Sequence, residues 1–189
     1  KSFRLRKNRF FEKTFFPRID GLICLTETQK ELFSRHYPKT PIAVAHTGLI
    51  KIERNATVRG KQLCYVGSLD EHKGLGTVLS ALSQTADKDI SLLVIGGKNE
   101  HEMRRFMDLA RLMNVGDRVN ITGWMRHSDV GHMMDRCIAG IVPISDTPFN
   151  RVITSPLKIL VCLSRSLPVI ASDLPSVRES VEDGKHGIL

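Results

Sequence analysis

The 189-residue sequence predicts an open α/β fold built on a doubly wound parallel sheet, and three observations carry that expectation. Short β-rich runs alternate with helix-period stretches along the chain, the signature of repeated βαβ units. Most of the β-rich runs are continuously apolar over four to six residues rather than alternating, as strands are when helices cover both faces of a parallel sheet. The balance of 41% apolar and 25% charged residues belongs to a chain that packs a core.

Taken in order, the first strand candidate is Gly21–Thr26, holding Leu22-Ile23-Cys24-Leu25. A helix-period stretch, Glu27–His36, and a second apolar run, Ile42–His46, follow it. Lys51–Lys61 is polar, has little periodicity and contains Gly60, the composition of a loop or interdomain connector. Beyond it the strand candidates are Gln62–Val66, Ser91–Ile95, Val119–Thr122, Gly140–Ile144 and Pro168–Ala171. The helix candidates between them are Lys73–Gln84, Glu100–Met113, Ser128–Arg136, Ser155–Ser164 and Pro175–Glu182. This organisation divides the chain into residues 1–48, the end of a preceding domain and its hinge, and residues 49–189, a Rossmann-like unit. Lys1 is not an initiator methionine and Leu189 stops inside an apolar run, so the expectation is a piece of a longer chain.

The formal charge of +8 points to acidic partners: nucleic acid, anionic lipid or phosphorylated small molecules. Part of it lies in the first eighteen residues, where seven Lys and Arg alternate with Phe3, Phe10, Phe11, Phe15 and Phe16. That segment suits either packing on a further domain or contact with an anionic membrane. No RNA- or DNA-binding module is recognisable, which argues against a nucleic-acid partner. No apolar run approaches the roughly 18 residues of a membrane span, and no secretory signal opens the chain. Cys24, Cys64, Cys137 and Cys162 are scattered without a CxxC pair, as free buried thiols of a reducing cytosol are. The histidines show no HExxH or paired spacing, so no metal site is expected. His46 reads as a solvated hinge residue or one facing a cleft, and Asp70, Glu71 and Asp146 read as loop charges or acid/base candidates. Gly74-Leu75-Gly76 lacks the third glycine of a dinucleotide fingerprint.

Ligands of open α/β sheets bind beyond the carboxyl ends of the strands. The segments that follow those ends are Gly67–Gly74, Gly96–Lys98, Gly123–His127 and Ser145–Lys158. In the first, Tyr65-Val66-Gly67-Ser68-Leu69-Asp70-Glu71-His72-Lys73-Gly74, a strand ends at a glycine and Lys73 stands at the opening of the next helix. Backbone N–H groups and the helix dipole favour anions there, and Lys73 adds a charge-assisted contact. The GKS/T ending of a Walker A loop is missing, and a solvated helix start fits the same residues. In the second, Thr154-Ser155-Pro156-Leu157-Lys158, Ser155 or Thr154 can cap a helix whose first turn holds Pro156. The first-turn amides and Lys158 then suit an anion, although a well-capped helix explains the same pattern.

Together, Gly67–Gly74, Ile-Thr-Gly-Trp at Ile121–Trp124 and Ser155–Glu179 resemble, in order, the C-terminal domain of the family-4, GT-B-fold glycosyltransferases. The resemblance runs from about Asp20 to Leu189, with Asp20–Gly48 similar to the end of the preceding domain. It implies one half of a GT-B fold, in a retaining transferase that moves a sugar from a nucleotide diphosphate donor to a glycan or lipid-linked acceptor. No catalytic metal and no cofactor beyond the donor are implied. On that template Ser68 and Lys73 lie at the donor phosphates, and the amides after Ser155, through Pro156, Leu157 and Lys158, cap the distal phosphate or the sugar. Trp124 and Met125 lie beside the base. The place implied for such a protein is cytoplasmic, including the inner face of a membrane, and work in cell-surface polysaccharide biosynthesis. An isolated chain without the acceptor side is expected to be inactive.

The sequence also departs from the template. Ser68 stands where Arg is common, and Ser166 replaces the usual glycine or small residue. The Glu-x7-Glu pair, whose second member holds the ribose hydroxyls, is replaced by Ile153 and Val161. A lost carboxylate removes about 1.5–3 kcal/mol of hydrogen bonding. That loss keeps a second reading open, a degenerate GT-B-like binding or scaffolding module. An epimerase of the same architecture has no distinctive residue in its favour.

Overall fold

A computed structural model describes residues 10–52, 60–70, 73–155 and 157–189. Two parallel sheets are present. The small one pairs β1 (Leu22–Cys24) with β2 (Ile42–Val44), joined by helix α1 (Glu27–His36). The main sheet comprises β3 (Lys61–Val66), β4 (Ile90–Ile95), β5 (Val119–Ile121), β6 (Ala139–Val142), β7 (Val169–Ala171) and β8 (Gly187–Ile188). Its six strands run parallel in the order β5-β4-β3-β6-β7-β8. The expected doubly wound sheet is therefore the observed one, and its order reverses between β3 and β6.

Side-chain alternation along the central strands explains their unbroken apolar sequence. Cys64, Leu93, Ile95 and Val142 enter one buried cluster, under α4 (His127–Met134) and α6 (Leu157–Ser164). Tyr65, Leu92, Val94 and Ile141 enter the other, under α2 (Leu75–Gln84) and α3 (Glu100–Leu112). Each strand thus buries both faces, so no polar alternation is left to read. Cys64, Cys137 and Cys162 are buried in the first of these clusters and Cys24 in the small sheet, and none forms a disulfide.

Helix α1 fastens the small sheet to the main one. Thr26 caps it by accepting from the Gln29 N–H (3.1 Å), and Gln29 donates its amide to the Ile153 carbonyl (2.7 Å). Glu179 accepts from the N–H groups of Glu27 (2.6 Å) and Thr28 (2.8 Å), and from the Thr28 hydroxyl. A carboxylate at a helix N-terminus satisfies orphan amides and complements the dipole.

Three local differences from the sequence expectation have physical causes. Helix α5 (Pro148–Val152) occupies a segment expected to be loop, capped by Thr147 with Pro148 in its first turn. The expected helix Pro175–Glu182 is a single turn, α7 (Pro175–Arg178). Strand β8 forms against β7 from two residues, too few to show a pattern.

Ser166, which stands where the template has glycine, adopts φ +53° after α6. A side chain in this left-handed region costs about 1–2 kcal/mol. Replacing the exposed Ser166 with Gly is expected to stabilise the chain by about 1 kcal/mol and to raise its Tm by roughly 2–4 °C. Calorimetric melting checks this.

Candidate donor site

The rim beyond the carboxyl ends of β3, β4 and β5 is made close-packed by glycine. A Cβ on Gly96 would overlap the Gly67 carbonyl, and Gly96 bridges to Gly123. Gly74, at φ +72°, leaves no room for a Cβ beside the Pro143 carbonyl that follows β6. This contact closes the switch point and delays α2: the helix opens at Leu75, and Lys73 sits in the preceding turn instead of starting it.

Two of the cavities that open along this rim flank the end of β3. The first, about 400 Å³, lies at the β3/β6 switch point and is lined in part by Tyr65, Lys73, Pro143, Ser155, Leu157 and Lys158. Phe149, Asn150, Ile153 and Thr154 form its α5 side. Among the described residues its lining includes two lysines and no carboxylate. The second, about 270 Å³, lies between Gly67, Ser68, the Gly96–Lys98 turn, Trp124 and Met125.

The expected site residues therefore fall into groups. Lys73, Ser155, Leu157 and Lys158 meet in the first cavity; Ser68, Trp124 and Met125 meet in the second. Trp124 is 79% exposed beside its cavity. Val161 belongs to neither: it is half-buried and packs on the core beneath α6, while Ile153 takes a place in the first cavity's wall. Pro156 lies outside the described residues, as do Glu71 and His72.

Lys158 reaches its position from α6 by passing Gly67 at the end of β3, where a Cβ would collide with its ammonium. Its Nζ donates to the Tyr65 hydroxyl at 2.7 Å and lies 4.2 Å from the ring centroid. Tyr65 in turn donates to the Ser68 carbonyl at 2.8 Å. Burial, with Lys73 nearby, lowers the Lys158 pKa from 10.5 to about 8. Burial raises that of Tyr65, with Asp70 and Glu102 adding to it, so the phenol stays protonated. In the second cavity the Ser68 hydroxyl donates to Asp70 (2.7 Å), and Lys98 pairs with the same carboxyl (3.2 Å). Those two contacts hold Asp70 below its usual value, Ser68 contributing most. Asp146 pairs with Arg151, His46 bonds the Leu25 carbonyl at 3.1 Å, and neither is in the lining of these two cavities. Among the described residues no group of three His, Cys, Asp or Glu side chains gathers to hold a metal.

Sequence reasoning passed over Tyr65, Phe149 and Asn150. Tyr65 is the lone aromatic residue of β3, and Thr147-Pro148 is a helix-start pair, so both signals were present. What they surround depends on the crossover between β3 and β6.

An open parallel sheet with paired cavities at its switch point is one half of a GT-B arrangement, and comparison with known proteins agrees. The family model for group 1 glycosyl transferases matches residues 60–189. The chain belongs to this family. Alpha-D-kanosaminyltransferase of Streptomyces kanamyceticus is 26% identical over 128 residues, covering 66% of this chain and 31% of that protein. Sucrose-phosphate synthase of Thermosynechococcus elongatus superposes with a TM-score of 0.76 at 22% identity, over 97% of this chain and 48% of the other. Anabaena HepE, solved with UDP and glucose, superposes with a TM-score of 0.74 at 17% identity, over 98% of this chain and 53% of its own. The chain thus spans a third to about a half of these relatives.

Lys158 links this site to stability. Between pH 8 and 10.5 the unfolded chain holds a proton on this side chain that the folded chain has released. Stability from this group therefore rises with pH through that window, and below it the buried ammonium opposes folding. Lys158→Met is expected to melt roughly 2–4 °C above the wild type at pH 7, a difference of about 1 kcal/mol, and to lose the advantage by pH 10. Thermal melts of both chains at the two pH values test it.

Proposed function

We propose that this chain is the donor-binding half of a retaining glycosyltransferase that takes its sugar from a nucleotide diphosphate. The observation that carries the reading is the convergence of Lys73 and Lys158, far apart in sequence, on one cavity with no carboxylate among its described lining residues, at the switch point of a group 1 glycosyltransferase domain. Two ammonium groups and the first-turn amides of α6 suit a diphosphate, whose negative charge grows as the glycosidic bond breaks. The neighbouring cavity, with exposed Trp124, suits the nucleoside, and Anabaena HepE carries UDP in its own structure. Residues 49–189 serve as the donor unit and residues 1–48 as the end of an acceptor-side domain, with a glycan or lipid-linked acceptor.

The reading needs no metal or cofactor beyond the donor, and no nucleic acid. It places the protein in the cytoplasm. Peripheral contact with the inner membrane face through residues 1–18 is part of it, supported by the exposure of Phe10, Phe11 and Phe15 beside Lys13 and Arg18. No helix among the described residues is long and apolar enough to cross a membrane.

A specific observation favours a second reading, a non-catalytic GT-B-like binding module. Val161 packs on the core and Ile153 walls the cavity, so neither supplies the carboxylate that the template uses for hydroxyl groups.

Calorimetry with UDP-, GDP- and ADP-sugars separates the two readings. The donor reading expects saturable binding of one of them, weakened roughly tenfold or more by Lys73→Ala. Absence of binding at millimolar ligand sinks it. Binding that appears only in Ile153→Glu, which restores a carboxylate to the cavity wall, selects the second reading. The isolated chain is expected to transfer no sugar, and detection of product by this chain alone overturns that expectation.

A further inference from the structure

Resting on the diphosphate reading, we propose that Tyr65 is the positioning residue of the first cavity. Its hydroxyl, turned by the Ser68 carbonyl, holds the Lys158 ammonium charged beside Gly67 and ready for the anion. Of the cavity's two lysines, Lys158 is then the preset contact, whereas Lys73 is an exposed side chain that must be ordered by the ligand.

The argument is directional. The Tyr65 proton is committed to the Ser68 carbonyl, at 2.8 Å. The phenol oxygen can therefore only accept from Lys158, which donates to it at 2.7 Å. A hydroxyl fixed as an acceptor, together with the negative ring face behind it, favours the ammonium over the neutral amine. Tyr65 itself is 1% exposed and anchored in the cluster under α2 and α3, while Lys158 arises from α6 on the opposite face of the sheet. The bond crosses the end of β3 at Gly67 and so ties both helical layers to the cavity.

Among the described residues, the titratable groups that act on the charge of Lys158 are Lys73, Asp70 and Cys162. Lys73, before α2, opposes its charge, as burial does; Asp70, in the loop after β3, supports it. Cys162, one turn along α6, is held as a neutral thiol by burial, its pKa raised to about 12. Tyr65 is thus the hydrogen-bonding counterweight to desolvation.

Tyr65→Phe, Lys158→Met and the double variant test this without requiring a transfer assay. In chains carrying 13Cε-lysine, the resonance missing from Lys158→Met identifies Lys158, whose titration is then followed without ligand. Tyr65→Phe is expected to lower its midpoint by about one pH unit. Binding of UDP, GDP, ADP and inorganic pyrophosphate is measured by calorimetry at pH 6.5 and 8.5. The best nucleotide is expected to bind Tyr65→Phe roughly tenfold more weakly than wild type at pH 8.5, with a much smaller gap at pH 6.5. The ligand's own titration is common to both chains and cancels in the ratio. On the Lys158→Met background, Tyr65→Phe should add no further loss. An unchanged midpoint, an equal loss at both pH values, or an undiminished loss on that background overturns the proposal. A lowered midpoint with no ligand bound by any chain, wild type included, supports the hold of Tyr65 on the ammonium and defeats the donor reading instead.

Discussion

All six strands of the main sheet run the same way, and the rest of the structure follows from that constraint. Parallel strands cannot be joined by tight turns, so each connection returns over a face of the sheet, and both faces become buried. Every carboxyl end then lies on one rim. Where the order reverses between β3 and β6, neighbouring connections leave to opposite sides and the rim splits open. The first cavity occupies that split, between the turn before α2 and the first turn of α6.

A rim this crowded sets conditions on the residues that line it. Gly67, Gly74 and Gly96 all have positive φ and lie where a side chain would strike backbone or the Lys158 ammonium. The space they leave is taken by the Pro143 and Gly67 carbonyls and by the Lys158 ammonium. Lys158 is the clearest case, a cation drawn out of water over a strand end, held by a phenol and opposed by its own desolvation. Half-buried charges of this kind seldom favour folding, and perturbed groups cluster at functional sites.

The chemistry of the two cavities is asymmetric. Among the described residues the first offers ammonium groups and apolar wall but no carboxylate; the second offers glycine backbone, Ser68 and Trp124. The position that carries a carboxylate in the resembling family holds Val161, packed on the hydrophobic layer beneath α6. The first cavity thus combines positive charge with an apolar wall, the features on which the proposed donor reading rests. On the other side of the molecule, Glu179 spends its carboxylate on the N-terminus of α1, which ties the small sheet to the main one.

What the sequence determined by itself was the fold class, the alternation of elements and the two lysine-bearing segments that follow strand ends. Continuous apolar runs and glycine punctuation are local properties, and β3, β4 and the helices between the strands were legible for that reason. The short elements were not. Strand β8 exists because β7 offers it an edge, and α7 ends after one turn. In the site, Lys73 and Lys158 were legible as positive charges near helix starts, but their meeting was not. Only the tertiary structure set Lys158 beside Gly67, turned the Tyr65 hydroxyl toward it, and moved Val161 away from both cavities. Those outcomes depend on which strands become neighbours, and the order of a parallel sheet is decided by burial of whole faces rather than by any one segment.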